Sequence, residues 1–166
     1  MTTVTFKGIP VHLKGVLPKK GSKAPAFTLV GQDLQDVTLD TFKGKKKILN
    51  VFVSIDTPVC SKSLHTFQKR AGSHFGVVVA NISLDLPFAA KRFCEMEKVG
   101  GGVITLSAFR STFAKDYGLE IMDAPLKGLL ARAVLVLGED NTILYSELVP
   151  EITHEPNYEA AFKAIS

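Results

Sequence analysis

Of the 166 residues, two are cysteines, and one of them stands where a thiol can be activated. Cys60 ends the segment Asp56-Thr57-Pro58-Val59-Cys60, which follows directly on the apolar run at 48–55. That run reads as a buried strand. Thr57 then reads as a helix N-cap and Pro58 as the first helical residue, a position where the missing N–H costs nothing. Cys60 falls on the third helical position, where an N-cap oxygen usually accepts the backbone N–H and the positive end of the helix dipole favours a thiolate. It shares a helix face with Leu64, Phe67 and Ala71, so the thiol is expected on the core side, in a pocket at the helix mouth. A buried structural cysteine is the plainer alternative. Burial by itself disfavours the anion, so a reactive thiol needs a cationic neighbour. His65, five residues along the helix, points away. Arg132, at the mouth of the apolar strand at 133–137, is the better candidate, because a guanidinium is costly to bury unpaired. Its alternatives are a salt bridge to a carboxylate or a solvated exit, and the residues alone leave these open.

Cys94, in Lys91-Arg92-Phe93-Cys94-Glu95, lies 34 residues further on, inside a second expected helix. Taken alone it reads as a buried hydrophobe. A static disulfide does not suit a reducing compartment, which leaves free thiols, a redox pair or a metal site. The chain has no CxxC or HxxxH spacing, and His12, His65, His74 and His154 are scattered, so little supports a metal. A redox pair needs Cα atoms within roughly 7 Å. Two cysteines on separate helices meet that condition only if a helix locally unwinds.

The elements that must position these groups follow from pattern. Val4–Phe6 and Val11–Leu13 flank Lys7-Gly8-Ile9-Pro10 and read as an N-terminal hairpin, an extension over about residues 1–15. Short strands are expected near 27–30 and 37–39. A strand at 48–54 leads to a helix at 58–71, and a strand at 77–83 leads to a helix at about 87–98. A short strand at 103–106 and a modest helix at 108–117 follow. Strands at 133–137 and 143–146 bracket the turn Gly138-Glu139-Asp140-Asn141, and an amphipathic helix at 155–165, with Pro156 near its start, closes the chain. This order predicts an α/β fold, a central mixed sheet flanked by helices on both faces, in one domain spanning 1–166.

Composition narrows the class. An apolar content of 46% with 22% charge is globular rather than disordered. No apolar stretch approaches the roughly 20 residues that span a bilayer, and the first residues carry no basic segment followed by an apolar one, so a cytoplasmic protein is expected. Much of the net charge of +4 comes from Lys19-Lys20 and from Lys43-Gly44-Lys45-Lys46-Lys47. The second run reads as a solvated turn before the strand. No aromatics interleave with it, which speaks against nucleic acid as a partner.

Several segments taken together resemble the peroxiredoxins. Gly21-Ser22-Lys23-Ala24-Pro25-Ala26-Phe27 is similar to their N-terminal signature, and Thr57-Pro58-Val59-Cys60 to their threonine-x-x-cysteine site. Asp85-Leu86-Pro87-Phe88-Ala89 with Arg92-Phe93-Cys94 is similar to the thiol peroxidase branch. So are the stretch from Pro125 to Val134 and Glu155-Pro156-Asn157-Tyr158-Glu159-Ala160. The likeness runs over almost the whole chain with its motifs in order. It implies a thioredoxin-like fold and an atypical two-cysteine peroxiredoxin needing no cofactor or metal. It further implies Cys60 as the peroxidatic nucleophile, Thr57 and Arg132 as partners of the thiolate and the peroxide oxygens, and Cys94 as the resolving cysteine of the same subunit. Thioredoxin would be the reductant, hydroperoxides the substrates, and a homodimer the usual assembly. Val53 departs from the family, which usually has proline four residues before the threonine.

Two other classes use the same residues. A thioredoxin- or glutaredoxin-like exchanger would employ Cys60-Ser61-Lys62-Ser63 as a monothiol site. Such folds usually carry proline immediately before the strand where this chain has Ala131-Arg132. A non-enzymatic redox sensor would use Cys60 and Cys94 as a switch on a partner surface.

Overall fold

Long apolar strands need cover on both faces, and the chain supplies it from elements on either side of one sheet. The computed structural model describes residues 2–166. Strands β1 (Thr2–Phe6) and β2 (Ile9–Lys14) form the N-terminal hairpin, and β3 (Thr28–Val30) and β4 (Asp36–Thr38) a second, short one. Then come β5 (Lys46–Val51), α1 (Pro58–Ala71), β6 (Val77–Ser83), α2 (Pro87–Met96) and β7 (Val103–Ser107). The chain continues through α3 (Phe113–Asp116), β8 (Glu120–Ile121), β9 (Ala133–Leu137), β10 (Ile143–Leu148) and α4 (Tyr158–Ile165).

Seven strands make one mixed sheet in the order β10-β9-β5-β6-β7-β3-β4, and β1, β2 and β8 make a smaller one. Strands β5, β6 and β7 are parallel, while β9 runs antiparallel to β5. Ile48, Val79, Val134 and Val136 pack on Phe67 of α1 and on Ala161, Phe162 and Ile165 of α4. Alternate residues on the other face, Leu49, Ala80, Leu135 and Leu137, join a larger core with Leu13, Phe27, Phe113, Tyr117 and Ile121. This is the thioredoxin-like mixed sheet that the sequence resemblance implies. The parallel strands end at one edge, so Ser54, Asp85 and Ser107 leave the sheet side by side next to the start of α1.

The structure departs from the expected elements where side chains bond across the fold. Strand β5 starts at Lys46, and Lys47 is fully buried rather than part of a solvated turn. Its Nζ donates to Asn141 Oδ1 at 2.6 Å and to the Glu139 carbonyl at 3.3 Å, inside the β9–β10 turn. Burial lowers its pKa, against the opposing pull of Asp140, Glu139 and Asp40. Strand pairing of β5 stops at Val51 because Ser54 and Ile55 turn to bond Asp85 instead. The helix expected at 108–117 shrinks to the single turn α3. Ser111 Oγ accepts the Phe113 N–H at 3.1 Å and Thr112 Oγ1 donates to Asp116, so local hydroxyls set a late start. Helix α4 begins at Tyr158, capped by Asn157, whose Oδ1 accepts the Ala160 N–H at 3.0 Å; Pro156 therefore stands ahead of the cap.

The N-terminal hairpin is bonded to the segment after β10. The Thr5 N–H donates to the Pro150 carbonyl at 2.7 Å and the Ile152 N–H to the Thr5 carbonyl at 2.8 Å. Glu151 accepts from Gly8 N–H and Thr5 Oγ1 on one oxygen, and from Thr153 N–H and Oγ1 on the other. Burial of Glu151 would raise its pKa, but these four donors outweigh that and hold it at about 2.

Gly118 ends the α3 segment with φ of +66°, and a Cβ there would lie 2.4 Å from the Val16 backbone nitrogen. Gly118→Ala therefore combines left-handed strain with a clash against main chain that cannot yield. Urea unfolding should show a loss of about 2–4 kcal/mol with little change in m.

Candidate active site

Helix α1 starts at Thr57, whose backbone is extended at φ −102° and ψ 144° and leads into Pro58. The expected cap bond does not form. Thr57 Oγ1 instead donates to the Ser54 carbonyl at 2.9 Å, within the loop that precedes the helix. Pro58 has no N–H, so Val59 and Cys60 present first-turn N–H groups with no side-chain cap. The Thr57 hydroxyl oxygen keeps its lone pairs.

Cys60 is completely buried, on the face it shares with Leu64 and Phe67. Arg132 is only 2% exposed, and its Nη2 donates to Cys60 Sγ at 3.1 Å. Its Nε donates to the Ile152 carbonyl at 2.8 Å, while Nη1 is buried with no partner among the described residues. No ion pair among the described residues includes Arg132. Of the readings left open by the sequence, the carboxylate salt bridge and the solvated exit are both absent there. A buried guanidinium that faces sulfur rather than carboxylate gives a thiolate a cationic donor in low dielectric.

Thr57 and Arg132 line a cavity of about 260 Å³, together with Phe6, Val53, Leu126 and Ile152. One of these, Phe6, comes from the N-terminal hairpin. Ile152 anchors Arg132 through its carbonyl and is itself held by the hairpin and by Glu151. Val53, where the family usually has proline, adds an isopropyl group to the wall. These contacts between distant segments carry no local sequence signal.

Cys94 is placed apart from these three residues. It is 6% exposed on α2, and its Sγ lies 3.9 Å from Thr105 Oγ1 on β7, which also receives Gln32 Nε2 at 2.7 Å. Burial pushes the Cys94 thiol up, only partly offset by Thr105 and Gln32. Both cysteines are free thiols here. A buried polar row lies beneath the two helices: Asn50, Asn81 and Thr105 are direct neighbours on β5, β6 and β7. Asn50 Nδ2 donates to Asn81 Oδ1 at 2.8 Å and to Ser63 Oγ at 3.2 Å, and Ser63 Oγ donates to the Cys60 carbonyl at 2.9 Å. Polar residues inside otherwise apolar strand patterns are the sequence signal for this row.

Among the described residues, no three His, Cys, Asp or Glu side chains are grouped as metal ligands, and no helix is long and apolar enough to cross a membrane. The environment of Cys94 makes it sluggish while the protein is reduced. At pH 7 it should alkylate roughly tenfold or more slowly than an unhindered cysteine, and its rate should still be climbing at pH 9, because thiolate is the reacting form. Iodoacetamide labelling followed by peptide mass measures both.

The Redoxin family matches residues 19–162. Over 165 residues the chain is 51% identical to the thiol peroxidases of Mycobacterium bovis and Mycobacterium tuberculosis, covering 99% of this chain and of theirs. It superposes on a peroxiredoxin-like protein from Aquifex aeolicus with a TM-score of 0.92 at 40% identity, over 99% of this chain and 96% of that one. The thiol peroxidase from Chromobacterium violaceum shares the fold, with a TM-score of 0.91 at 23% identity over 98% and 94% of the two chains.

Proposed function

This chain belongs to the Redoxin family, as a peroxiredoxin of the thiol peroxidase branch, and from that premise we propose that it reduces hydrogen peroxide and organic hydroperoxides through Cys60. The observation that supports this most directly is Arg132 Nη1. It is a buried, unpartnered donor on the same guanidinium whose Nη2 holds Cys60 Sγ, so one planar fork can serve sulfur and a peroxide oxygen together.

Cys60 thiolate attacks the distal peroxide oxygen, the O–O bond breaks, and the sulfur loses two electrons to become a sulfenate. The departing oxygen leaves with the peroxide proton as water or an alcohol. Arg132 Nη1 and the uncapped N–H groups of Val59 and Cys60 face the charge that shifts between the oxygens. Thr57 Oγ1, its proton committed to Ser54, accepts the peroxide O–H and orients it. The cavity walls formed by Phe6, Val53, Leu126 and Ile152 suit the carbon substituent of an organic hydroperoxide.

Cys94 then resolves the sulfenic acid: its thiol joins Cys60 sulfur, and one water leaves with the sulfenic oxygen. That blocks further oxidation of Cys60. Because Cys94 rests on Thr105, local unwinding must precede the bond. A thioredoxin dithiol returns both cysteines to thiols by exchange, with the cycle running in the cytoplasm. The working unit is a homodimer, for which the exposed Leu86, Phe88 and Phe109 supply apolar surface.

The test is intact and peptide mass after one equivalent of peroxide is added to reduced protein and free thiols are blocked. A rapid loss of two hydrogens with a Cys60–Cys94 link is expected, and two fully alkylated cysteines would sink the assignment. Cys60→Ser should abolish turnover, whereas Cys94→Ser should complete one round and stop. Arg132→Lys replaces the fork with a point charge. In stopped flow it should slow peroxide reduction by roughly two orders of magnitude, and an unchanged rate would remove Arg132 from the reaction.

A further inference from the structure

Asp85 is half-buried between the end of β6 and the start of α2, and takes part in no ion pair among the described residues. Its carboxylate is met by hydrogen-bond donors instead. Oδ1 accepts Ser54 Oγ at 2.7 Å, and Oδ2 accepts the Ile55 N–H at 2.9 Å and Ser83 Oγ at 2.6 Å. Its own carbonyl accepts Ser107 Oγ at 2.5 Å. The ends of β5, β6 and β7 thus converge on one residue.

The bonds from Ser54 and Ile55 reach further than the loop. The Ser54 carbonyl accepts both the Thr57 N–H at 3.1 Å and Thr57 Oγ1 at 2.9 Å, and Ser54 Oγ accepts the Asp56 N–H at 3.1 Å. Asp85 therefore fixes Ser54, and Ser54 fixes Thr57 at the mouth of α1. On its other side Asp85 is two residues from Pro87, the first residue of α2. Cys60 and Cys94 are both buried, each on one of these helices, so their bond requires the first turn of α1 and part of α2 to open. A cleft of about 470 Å³, lined by Asp56, Ser61, Phe93 and Met96, separates the two and leaves room for that movement. Arg132 is anchored elsewhere, on Ile152, and does not depend on Asp85.

We propose that Asp85 is a positioning residue that latches the Ser54–Thr57 loop to the start of α2, holding the closed site for peroxide attack and retarding the opening that lets Cys94 reach Cys60. This rests on the peroxidase reading above. The chemistry is unchanged by the latch: peroxide oxidises Cys60 to the sulfenic acid, and Cys94 thiol displaces water from it. Only the balance between the two rates is set by Asp85.

The two steps are separated in a single turnover, with rapid quench and mass at intervals after hydrogen peroxide is added. Asp85→Asn keeps the shape but removes the charge and one acceptor. Its sulfenic acid should form about tenfold more slowly, while conversion of that acid to the disulfide should be about threefold faster. At high peroxide it should accumulate less sulfinic Cys60 than the unaltered protein. Ser54→Ala, which removes one of the three carboxylate contacts, should move both rates the same way by smaller factors. Asp85→Glu, retaining charge and both oxygens, should recover part of the first rate. If both rates in Asp85→Asn match the unaltered protein, the latch is wrong. It is also wrong if both fall in proportion with a lowered Tm, or if only the second slows. Should Asp85→Asn fail to fold, Ser54→Ala decides by the same criteria. An unaltered protein that forms no disulfide would overturn the peroxidase reading itself, whereas one that cycles normally beside an indistinguishable Asp85→Asn would overturn only the latch.

Discussion

A guanidinium buried against a thiol, with no carboxylate paired to it among the described residues, is a costly arrangement, and the segments around it are built to hold it. Removing an isolated cation from water costs several kcal/mol even after relaxation. Arg132 recovers part of this through the Ile152 carbonyl and part through Cys60 Sγ. A neutral thiol is a weak acceptor, while a thiolate is a strong, charge-assisted one. In the proposed reaction, Nη2 is the donor that a Cys60 thiolate would meet, and a peroxide oxygen would supply the partner that Nη1 lacks.

That arrangement holds only if Ile152 stays in place, and this gives the N-terminal hairpin its purpose. Ile152 lies in a segment after β10 that meets β1 at a single parallel bridge, Thr5 with Glu151. The backbone bonds from Thr5 and the four donors on Glu151 fix it. The hairpin turn that bonds Glu151 also brings Phe6 into the cavity wall. Cavity, arginine anchor and hairpin are thus one mechanical unit, built from residues nearly 150 positions apart in the chain.

Local features of the fold were legible in the sequence, and cross-chain ones were not. Helix α1 and strands β6 and β9 have the bounds that pattern gave them, because a proline start or an unbroken apolar run is a local signal. The turn at Gly138–Asn141 and the pairing of β1 with β2 are of the same kind. A lysine run reads as solvated, whereas Lys47 is buried once the β9–β10 turn folds over it. Thr57 holds the N-cap position, but its hydroxyl bonds the Ser54 carbonyl three residues back, a local competitor that residue type alone does not reveal. The helix expected at 108–117 is shorter in the structure because hydroxyls at Ser111 and Thr112 compete with helical bonds at short range. For Arg132, periodicity could say that burial needed a partner, yet could not choose between sulfur and carboxylate 72 residues away. Asp85 stands in a family motif, but its contacts depend on three strand ends meeting in space.

The two cysteines have opposite surroundings, and the difference bears on how the helices move. Cys60 faces a cation, whereas Cys94 rests on a neutral hydroxyl, and its burial, only partly offset by Thr105 and Gln32, favours the thiol. Beneath Cys94, α2 meets Thr105 of the Asn50–Asn81–Thr105 row instead of continuous hydrocarbon. Lifting a helix from an apolar surface exposes that surface to water at roughly 25 cal/mol per Å². Lifting it from hydroxyl and amide groups lets water replace the bonds that are broken, so the net cost is smaller. Ser63 gives α1 a similar footing beside Asn50. In the proposed cycle, the sheet's hydrocarbon core can then stay closed while the two helix ends that carry the thiols open, which would confine the movement to the neighbourhood of the cysteines.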